Sequence, residues 1–496
     1  YDFDGLNGSF PGTGLMLGSD GLFYGSTASD GTSNAGLIFN FTTAGSIGVL
    51  THLTGADGAA KGGECRGPLI TGADGALYGT ASTGGVGNNG TVFRLASFGV
   101  YSLLTEFTTT LGWSPSNGLS TGPDGTLYLG NTEGGASGFG SIVKVTTAGA
   151  ATPIVGFTGL AGSARGSEPA GVLTTGLDGS LYGVTRLGGA LDTGTAFKIA
   201  SNGAFTSITT FGSAIGSRPA TGFIMDSTGN FYTTASTGGL GGFGSVFGMT
   251  PSGSRGRLAS FTGVSGTSPG SAPFGGLALG SDGSIYGTTS NGGASNLGTV
   301  FRVTSSNLHI LLAEFNGTNG STPTSGPVIG TDGNLYGCTP AGGTNGLGTL
   351  YQVTPAGVLS TVHAFGSTTG SAPRGPLLMA PDGTIYGTTS SGGANGFGTV
   401  FRRTPSGVVS VLFNFTGASG AAPGDLSQGA LAFGPDGNLY GTATAGGSLN
   451  GGNVFRIRQL GAHAGTLGSI PLGTASAQLF ARISSGGETT SVTWEY

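Results

Sequence analysis

A tandem repeat constrains this chain more than any other sequence feature. Its clearest copy runs from Asp282 to Phe315, and a tyrosine near the start of the copy marks its position. The nine marker tyrosines, spaced by 50 or 54 residues, are Tyr24, Tyr78, Tyr128, Tyr182, Tyr232, Tyr286, Tyr336, Tyr386 and Tyr440. A period of this length predicts structural units that bury their core only by packing against their neighbours.

Each copy contains four short extended segments, here named strands a to d. In the second copy, residues 67–72 form an apolar segment. The strong turn dipeptide Asp74-Gly75 joins this segment to residues 76–81. Residues 91–95 and 100–107 follow, rich in β-branched and aromatic residues and without helical periodicity. Four antiparallel strands repeating at this spacing predict a β-propeller blade. An open β-solenoid is the alternative, although its coils are usually shorter.

The spacing within the copies predicts where the blades vary. Each of the first eight marker tyrosines is followed after 29 residues by the residue that ends strand d, and these residues are Leu53, Phe107, Phe157, Phe211, Phe261, Phe315, Phe365 and Phe415. From there to the next tyrosine the distance is 21 or 25 residues. Strands b, c and d therefore tolerate no insertion, and the d-to-a connections should form two kinds of loop on one rim.

The two ends of the repeat region complement each other. Residues 1–13 match the end of a strand d and its loop, and Phe3 again precedes its tyrosine by 21 residues. The ninth copy supplies strands a (430–433), b (438–442) and c (453–458) but no strand d. We therefore expect an all-β fold in which residues 1–458 form a propeller of nine four-stranded blades. The N-terminal strand would lie beside the last strand c and leave no open sheet edge.

Residues 459–496 form a tail outside the repeat. Residues 476–483 and 489–496 alternate apolar and polar side chains around a Ser-Ser-Gly-Gly turn, which predicts a β-hairpin. An isolated hairpin is marginal in water, so this one should pack on the propeller or pair with a neighbouring molecule. Pairing between molecules would join rings into a filament. The candidate subunit contacts are Leu479, Phe480, Ile483, Val492, Trp494 and Tyr496.

Composition narrows the partners and the location. Charged residues make up 8% of the chain, against about 25% in ordinary globular proteins. A net charge of −5 with 17 scattered Lys and Arg argues against nucleic acid. No apolar run approaches the roughly 20 residues of a membrane span. A weakly charged surface suits an extracellular protein, and a removed signal peptide would explain a start at Tyr1.

The recurring motifs resemble a known family. Asp-Gly-x-Leu-Tyr-Gly-Thr-Thr, Gly-Gly, Gly-Thr-Val-Phe and Phe-x-Gly are similar to the GloVer-type (Gloeobacter/Verrucomicrobia) tandem repeat over residues 1 to about 458. The resemblance implies an exported bacterial protein of the cell surface, of the type with interchangeable C-terminal anchors and without an assigned activity. The tail lacks the hydrophobic stretch and basic end of a sorting anchor.

The Asp-Gly turns are the most regular acidic feature. Eight copies carry one, the fifth has Ser227-Thr-Gly instead, and the aspartates are Asp20, Asp74, Asp124, Asp178, Asp282, Asp332, Asp382 and Asp436. Calcium needs six to eight oxygen ligands, whereas each turn supplies one carboxylate. The turns also resemble structural Asp-box turns. We therefore expect them to shape the chain, and we expect no cofactor or metal.

Catalytic chemistry has little support in the sequence. Carboxylates that depart from the repeat consensus fall in different copies, namely Glu64, Glu133, Glu168, Asp192 and Asp425, whereas glycoside hydrolysis needs two that converge. The histidines are dispersed and, at or near strand d, favour a structural role: His52, His309 and His363, with His463 in the tail. Cys65 and Cys338 belong to distant copies and cannot form a disulfide, although Cys65 could be an exposed thiol. The sequence therefore predicts that this is not an enzyme. A propeller glycosidase or lyase is the least favoured of the functions considered.

Two functional hypotheses remain. Nine similar blades favour a structural or adhesive extracellular protein, self-associating through its tail. The b–c loops carry an apolar residue before their last glycine, namely Phe139, Phe243, Leu297, Leu347 and Phe397. Exposed aromatic rings would make a multivalent glycan-binding surface with Phe139, Phe243 and Phe397 as contacts. Alternatively these side chains tuck under their loops, which the leucines favour.

Overall fold

The chain forms nine antiparallel sheets arranged as a β-propeller, followed by a separate hairpin. The computed structural model describes residues 1–458 except 4, 12, 13, 66, 97–99, 116, 117, 220, 421, 422, 426, 428, 448 and 449. Arg255 and residues 463–473 and 476–484 are described by their backbone alone. The predicted propeller is confirmed, and the solenoid alternative is wrong.

Within each blade the strands pair in the order a, b, c, d. Strand a is short and is formed by Met16–Leu17, Ile70–Thr71, Leu119–Thr121, Ser167–Thr175, Ser217–Pro219 with Ile224–Met225, Ala278–Leu279, Val328–Ile329, Leu378–Met379 and Ala432–Phe433. Strand b is formed by Phe23–Ser26, Leu77–Ala81, Leu127–Asn131, Leu181–Leu187, Phe231–Thr237, Ile285–Thr289, Leu335–Thr339, Ile385–Thr389 and Leu439–Ala443. Among the described residues there is one 3-10 turn, Val86–Asn88, in the b–c loop of blade 2.

The outer strands are equally regular. Strand c is formed by Leu37–Phe41, Thr91–Leu95, Ser141–Val145, Thr195–Ile199, Ser245–Met249, Thr299–Val303, Thr349–Val353, Thr399–Arg403 and Asn453–Ile457. Strand d is formed by Ile47–His52, Tyr101–Glu106, Ala151–Gly156, Phe205–Thr210, Arg255–Ser260, His309–Glu314, Leu359–Ala364 and Val409–Asn414. Every one of these eight c–d pairs contains a β-bulge, which increases the twist of the blade.

In seven of the nine blades a glycine follows the marker tyrosine and lets the core pack closely, whereas blades 3 and 5 have Leu129 and Thr233 there. In blade 2, a Cβ on Gly79 would lie 2.3 Å from Cζ of Phe93, an aromatic residue of strand c. The strand-c ring therefore lies flat on the backbone of strand b, where any side chain would displace it.

Aromatic contacts join each blade to the next. The residue that ends strand d is buried in every blade, and in most junctions its ring contacts a strand-c ring of the following blade. Seven such pairs have centroid separations of 4.9 to 5.5 Å, namely Phe3–Phe39, Phe157–Phe197, Phe211–Phe247, Phe261–Phe301, Phe315–Tyr351, Phe365–Phe401 and Phe415–Phe455. Buried aromatic pairs contribute beyond their area, so the core is continuous around the ring.

The N-terminal residues close the ring as the spacing predicts. Asp2 pairs antiparallel with Asn453, and the Val454 N–H donates to the Tyr1 carbonyl at 3.0 Å. The Phe3 N–H donates to the Gly452 carbonyl at 3.0 Å, a bond that the equivalent residue makes in each of the other eight blades. Phe3 therefore replaces the missing strand-d residue of blade 9, and the closure prediction is confirmed.

The tail contains a hairpin whose pairing differs from the predicted one. His463–Gly473 pairs with Ser476–Ser484. Residues 476–483, predicted as the first strand of the hairpin, are therefore part of its second strand. The predicted partner, residues 489–496, lies outside the described residues. The sequence argument missed residues 463–473 because their glycines and proline obscure the alternating pattern.

Candidate functional site

The two faces of the ring carry different connections. On one, here the loop face, the b–c loops and the d–a connections lie together, since in blade 6 the Gly293 N–H donates to the Gly263 carbonyl at 3.0 Å. The other, here the turn face, carries the a–b and c–d turns. The variable positions singled out from the sequence lie on the loop face.

The d–a connections are of two kinds, as the spacing predicts. Seven of the nine are closed by a pair of glycines that bridge the loop. In the other two, the Gly112 N–H donates to the Thr108 carbonyl and the Gly370 N–H donates to the Gly366 carbonyl. The long form spans Gly55 to Gly62, Gly159 to Gly166, Gly263 to Gly270 and Gly417 to Gly424, and the short form spans Gly5 to Gly8, Gly212 to Gly216 and Gly317 to Gly320.

A left-handed residue in eight of the d–a connections links neighbouring blades. Eight non-glycine residues at this position have φ between 49° and 60°, namely Phe10, Glu64, Ser114, Glu168, Arg218, Ala272, Thr322 and Ala372. Each N–H donates to a b–c loop carbonyl of the preceding blade, as from Thr322 to Leu297 at 2.8 Å. The left-handed conformation, rare for side chains other than glycine, is therefore imposed by the junction between blades. Phe10 makes this bond to Gly451 across the ring closure.

The three predicted glycan-contact residues lie half-exposed on the loop face. Phe139 is 42% exposed, Phe243 is 41% exposed and Phe397 is 37% exposed. Each ring tip lies over a glycine of its own blade's d–a connection, within 3 Å of where a Cβ would stand on Gly159, Gly263 or Gly417. One edge of each ring is therefore fixed and the rest faces solvent, an arrangement between the two predicted alternatives.

Further aromatic side chains on this face escaped sequence reasoning because they do not recur in the repeat. Trp113, Phe10 and Phe274 are all exposed and belong to blades 3, 1 and 6. Trp113 packs on Gly134, whose backbone pairs with that of Phe139, so blade 3 presents two aromatic side chains beside one glycine. A register comparison of the Ser-x-Pro segments would have located them.

The candidate carboxylates are dispersed over blades 2, 3, 4 and 9. Glu64 and Glu168 occupy left-handed positions, and Glu168 lies 3.8 Å from Arg186. Asp192 accepts a hydrogen bond from the Gly188 N–H at 2.8 Å and so fixes its own loop. Glu133 and Asp425 pair through their backbones with Trp113 and Ala445. Within the described residues, no group of three or more His, Cys, Asp or Glu could hold a metal ion.

On the turn face the Asp-Gly carboxylates are engaged by the chain itself. In blade 4, Asp178 accepts from the Tyr182 hydroxyl at 3.0 Å and from the Lys198 ammonium at 2.8 Å. In blade 3, hydrogen bonding from Thr126 and the ammonium of Lys144 lower the pKa of Asp124 to about 2, although burial opposes this. These carboxylates fit the predicted structural role, because their oxygens are directed at the chain's own donors.

The fifth blade supplies its turn carboxylate from another position. Asp226 stands where seven of the other blades have Gly at the same distance from the tyrosine, and it accepts from the Tyr232 hydroxyl at 2.7 Å. In blade 1, a Cβ on the equivalent Gly18 would lie 2.7 Å from Oδ1 of Asp20. A side chain at this position is therefore tightly restricted, with only Ala380 in blade 8 beside the usual aspartate, and the larger Asp226 occurs where Thr228 replaces that aspartate. The sequence pattern at residues 227–229 indicated only the loss of an Asp-Gly turn, not that Asp226 supplies its carboxylate.

The histidines and cysteines have local roles. His52 accepts from the Thr32 N–H at 3.3 Å through Nδ1, and burial lowers the pKa of His363. Burial lowers the pKa of His309 to about 4 between the rings of Phe261 and Phe301. His463 lies in the hairpin backbone. Cys65 is buried in place of the usual proline, which corrects the suggestion of an exposed thiol, and burial raises its pKa to about 12. Cys338 is buried as well, and both thiols are free.

The predicted subunit contacts fall in the tail. Leu479, Phe480 and Ile483 lie in the strand Ser476–Ser484, whereas Val492, Trp494 and Tyr496 lie outside the described residues. In the part of the chain that the structure describes, no helix is long and apolar enough to cross a bilayer.

Nine blades with a common loop geometry define a tandem-repeat β-propeller. The family model described as the Gloeobacter/Verrucomicrobia repeat matches residues 64–276 and 272–484, and the chain belongs to this family. No curated protein matches the sequence.

Solved structures resemble the chain only distantly. Dipeptidyl peptidase 4 of Porphyromonas gingivalis is 9% identical with a TM-score of 0.50, over 87% of this chain and 64% of that one. Virginiamycin B lyase of Staphylococcus aureus is 13% identical with a TM-score of 0.36, over 70% and 92%. A puromycin-hydrolyzing peptidase of Mycobacterium tuberculosis is 12% identical with a TM-score of 0.39, over 78% and 60%. Identities this low transfer no activity to this chain.

Proposed function

We propose that this protein is a non-enzymatic, extracellular adhesive protein that binds neutral polysaccharide through the loop face of its propeller. One observation carries the proposal: Phe139, Phe243 and Phe397 occupy the same position in blades 3, 5 and 8 with a similar half-exposed ring. Repeated rings on a rigid scaffold would bind a repeating polymer with avidity, because several sugars engage without further ordering of the protein.

The surroundings of these rings support an uncharged ligand. Their loops are built from Gly, Ser, Ala and Asn with Leu240 in blade 5, and the whole chain has only 39 charged residues. Backbone groups and hydroxyls at the loop tips can donate and accept hydrogen bonds to sugar hydroxyls. A weakly charged face provides little attraction for acidic or basic polymers.

The test uses leucines that the repeat itself provides. Leu297 and Leu347 occupy the phenylalanine position in blades 6 and 7, so Phe139→Leu, Phe243→Leu and Phe397→Leu together should preserve the fold. We expect wild type to bind neutral polysaccharides on an array, and the triple variant to lose at least tenfold in affinity with an unchanged melting temperature. Equal binding by both proteins would exclude the loop-face site. Polysaccharide turnover by wild type would exclude the non-enzymatic proposal.

The hairpin supports a second candidate function, self-association into filaments. Among the described residues, the sheet of His463–Gly473 and Ser476–Ser484 pairs with none of the nine blade sheets, which leaves its two edges for pairing with a neighbouring molecule. A variant ending at Arg458 should remain folded, and light scattering should show it as a monomer under conditions where wild type assembles. If both form equal assemblies, the joint between subunits lies in the propeller.

A further inference from the structure

Blade 5 lacks the cation that covers the marker tyrosine in several other blades. On strand c, the residue beside the tyrosine is Lys144 in blade 3, Lys198 in blade 4 and Arg302 in blade 6. Their charged groups lie 5.5 to 5.8 Å from the ring centroids of Tyr128, Tyr182 and Tyr286, within range of a cation–π interaction. The residue at this position in blade 5 is Gly248.

The consequence is an uncovered tyrosine beside a recess. Tyr232 is partly exposed, whereas the marker tyrosines of the other eight blades are all buried. The recess beside Tyr232, between blades 5 and 6 on the turn face, has a volume of about 290 Å³. The corresponding crevice beside Tyr128, between blades 3 and 4, has about 60 Å³. The larger space holds an organic group of several heavy atoms, because a water molecule takes about 30 Å³.

Several departures from the repeat consensus meet in this recess. Gly248 and Gly256 leave it open on the strand side, and Asn307 replaces the glycine that six other blades carry at this left-handed position of the c–d turn. Asn230 lines the recess near the turn of Asp226. Departures in two neighbouring blades that line one space indicate a built site.

The lining combines an apolar wall with hydrogen-bonding groups. Leu258 lies over Gly248, where a Cβ would come 2.8 Å from its Cδ1, so it stands where the stem of a lysine would begin. Met249 continues this wall, and hydroxyl and amide groups face it from Thr250, Ser254, Ser305 and Asn307. Oxygen atoms of these groups can accept hydrogen bonds.

We infer that this recess binds an alkylammonium or alkylguanidinium group, which takes the place of the side-chain cation that blade 5 lacks. The cation would lie against the Tyr232 ring and near the carboxylate of Asp226, which accepts the Tyr232 hydroxyl at 2.7 Å and the Asn230 amide at 3.0 Å. The alkyl chain would pack on Leu258 and Met249. This proposal concerns the turn face and is independent of the polysaccharide proposal for the loop face.

Binding can be measured by ligand-observed NMR with n-butylammonium, n-butylguanidinium and neutral n-butanol. We expect both cations to bind at least tenfold more tightly than n-butanol. Gly256→Ile should fill the recess, because a Cβ on Gly256 meets no atom within 4 Å and blade 6 carries Ile310 at this position. It should weaken cation binding at least tenfold, whereas Ser360→Ile at the equivalent exposed position of blade 7 should leave it unchanged.

A second variant guards against loss of fold. Asn307→Gly restores the residue that the left-handed turn favours, so it should stay folded while weakening binding several-fold. Equal affinity for n-butanol and the cations, or equal binding by Gly256→Ile and Ser360→Ile, would overturn the proposal. N-acetyl-arginine amide distinguishes the sources of the cation. Binding as tight as n-butylguanidinium indicates an arginine side chain of a partner, and binding tenfold weaker indicates a free small amine.

Discussion

The two faces of the ring use the same repeat in opposite ways. On the turn face, a carboxylate, a tyrosine hydroxyl and often a cation recur in fixed contacts, as at Asp178, Tyr182 and Lys198. On the loop face, the backbone bonds recur while the side chains change, so Phe10, Glu168 and Arg218 share one conformation. The difference shows that side chains stabilise one face, whereas backbone geometry leaves the other free to vary in chemistry.

The largest predicted effect tests the ring on which both faces depend. Phe3→Ala should lower the free energy of unfolding by about 3–5 kcal/mol, because it removes a buried ring that contacts Phe39 at 5.2 Å. Leu6→Ala, at a side chain 76% exposed, is the control and should change little. Denaturant unfolding measures both. Similar stability for the two variants would mean that the N-terminal residues do not close the ring.

His309, a histidine at the turn-face end of strand d in blade 6, predicts that the stability of the fold depends on pH. Burial lowers the pKa of His309 to about 4, so the unfolded chain, with a value near 6.5, binds its proton more readily. The folded state should therefore lose stability as pH falls below about 6.5, by at most about 3 kcal/mol when pH reaches 4.

His309→Phe should remove this part of the pH dependence, because blade 4 holds Phe205 at the equivalent position. Thermal melts between pH 4 and pH 7 provide the measurement. A profile that His309→Phe leaves unchanged would assign the acid sensitivity to other groups.

The sequence predicts the repeated part of this molecule well and the exceptions poorly. The register of Phe3 predicts the closure because its distance of 21 residues to Tyr24 is one of only two distances that the copies use. By contrast, Asp226 takes over the turn carboxylate from a different position, and Gly248 leaves a recess open because it has no side chain where six of the other blades carry Lys or Arg. Such features depend on contacts between strands and between blades, which a residue-by-residue comparison of copies does not contain. The exposure of Phe139 depends similarly on how its ring lies over Gly159.

A pair of Asp→Asn variants compares the faces directly. Asp178→Asn removes the negative charge to which the Tyr182 hydroxyl and the Lys198 ammonium both donate. It should lower the free energy of unfolding by about 1–3 kcal/mol. Asp192→Asn on the loop face should cost almost nothing, since Asn296 makes the same loop bond in blade 6. Urea unfolding at pH 7 measures the difference.

The cost of Asp178→Asn should depend on pH. Burial disfavours its ionised form, but hydrogen bonding from Lys198 and Ser180 lowers the pKa of Asp178 to about 2. Its contribution is therefore complete above about pH 4 and is lost as pH falls toward 2. Equal costs for the two variants at pH 7 would remove the contrast between faces.

The smallest predicted effect concerns strain on the loop face. Thr322 has φ of 52°, a conformation that a β-branched residue adopts only under constraint, and its N–H donates to the Leu297 carbonyl of the preceding blade. Thr322→Gly keeps that bond and relieves about 1–2 kcal/mol of left-handed strain, while the more flexible unfolded chain offsets about 0.5–1 kcal/mol. The variant should therefore be more stable by about 0.5–1 kcal/mol. Thr324→Gly, two residues along in an exposed position without positive φ, should be less stable than wild type. If thermal melts show both glycine variants losing stability equally, the left-handed position carries no strain, and side chains there stabilise the loop face as they do the turn face.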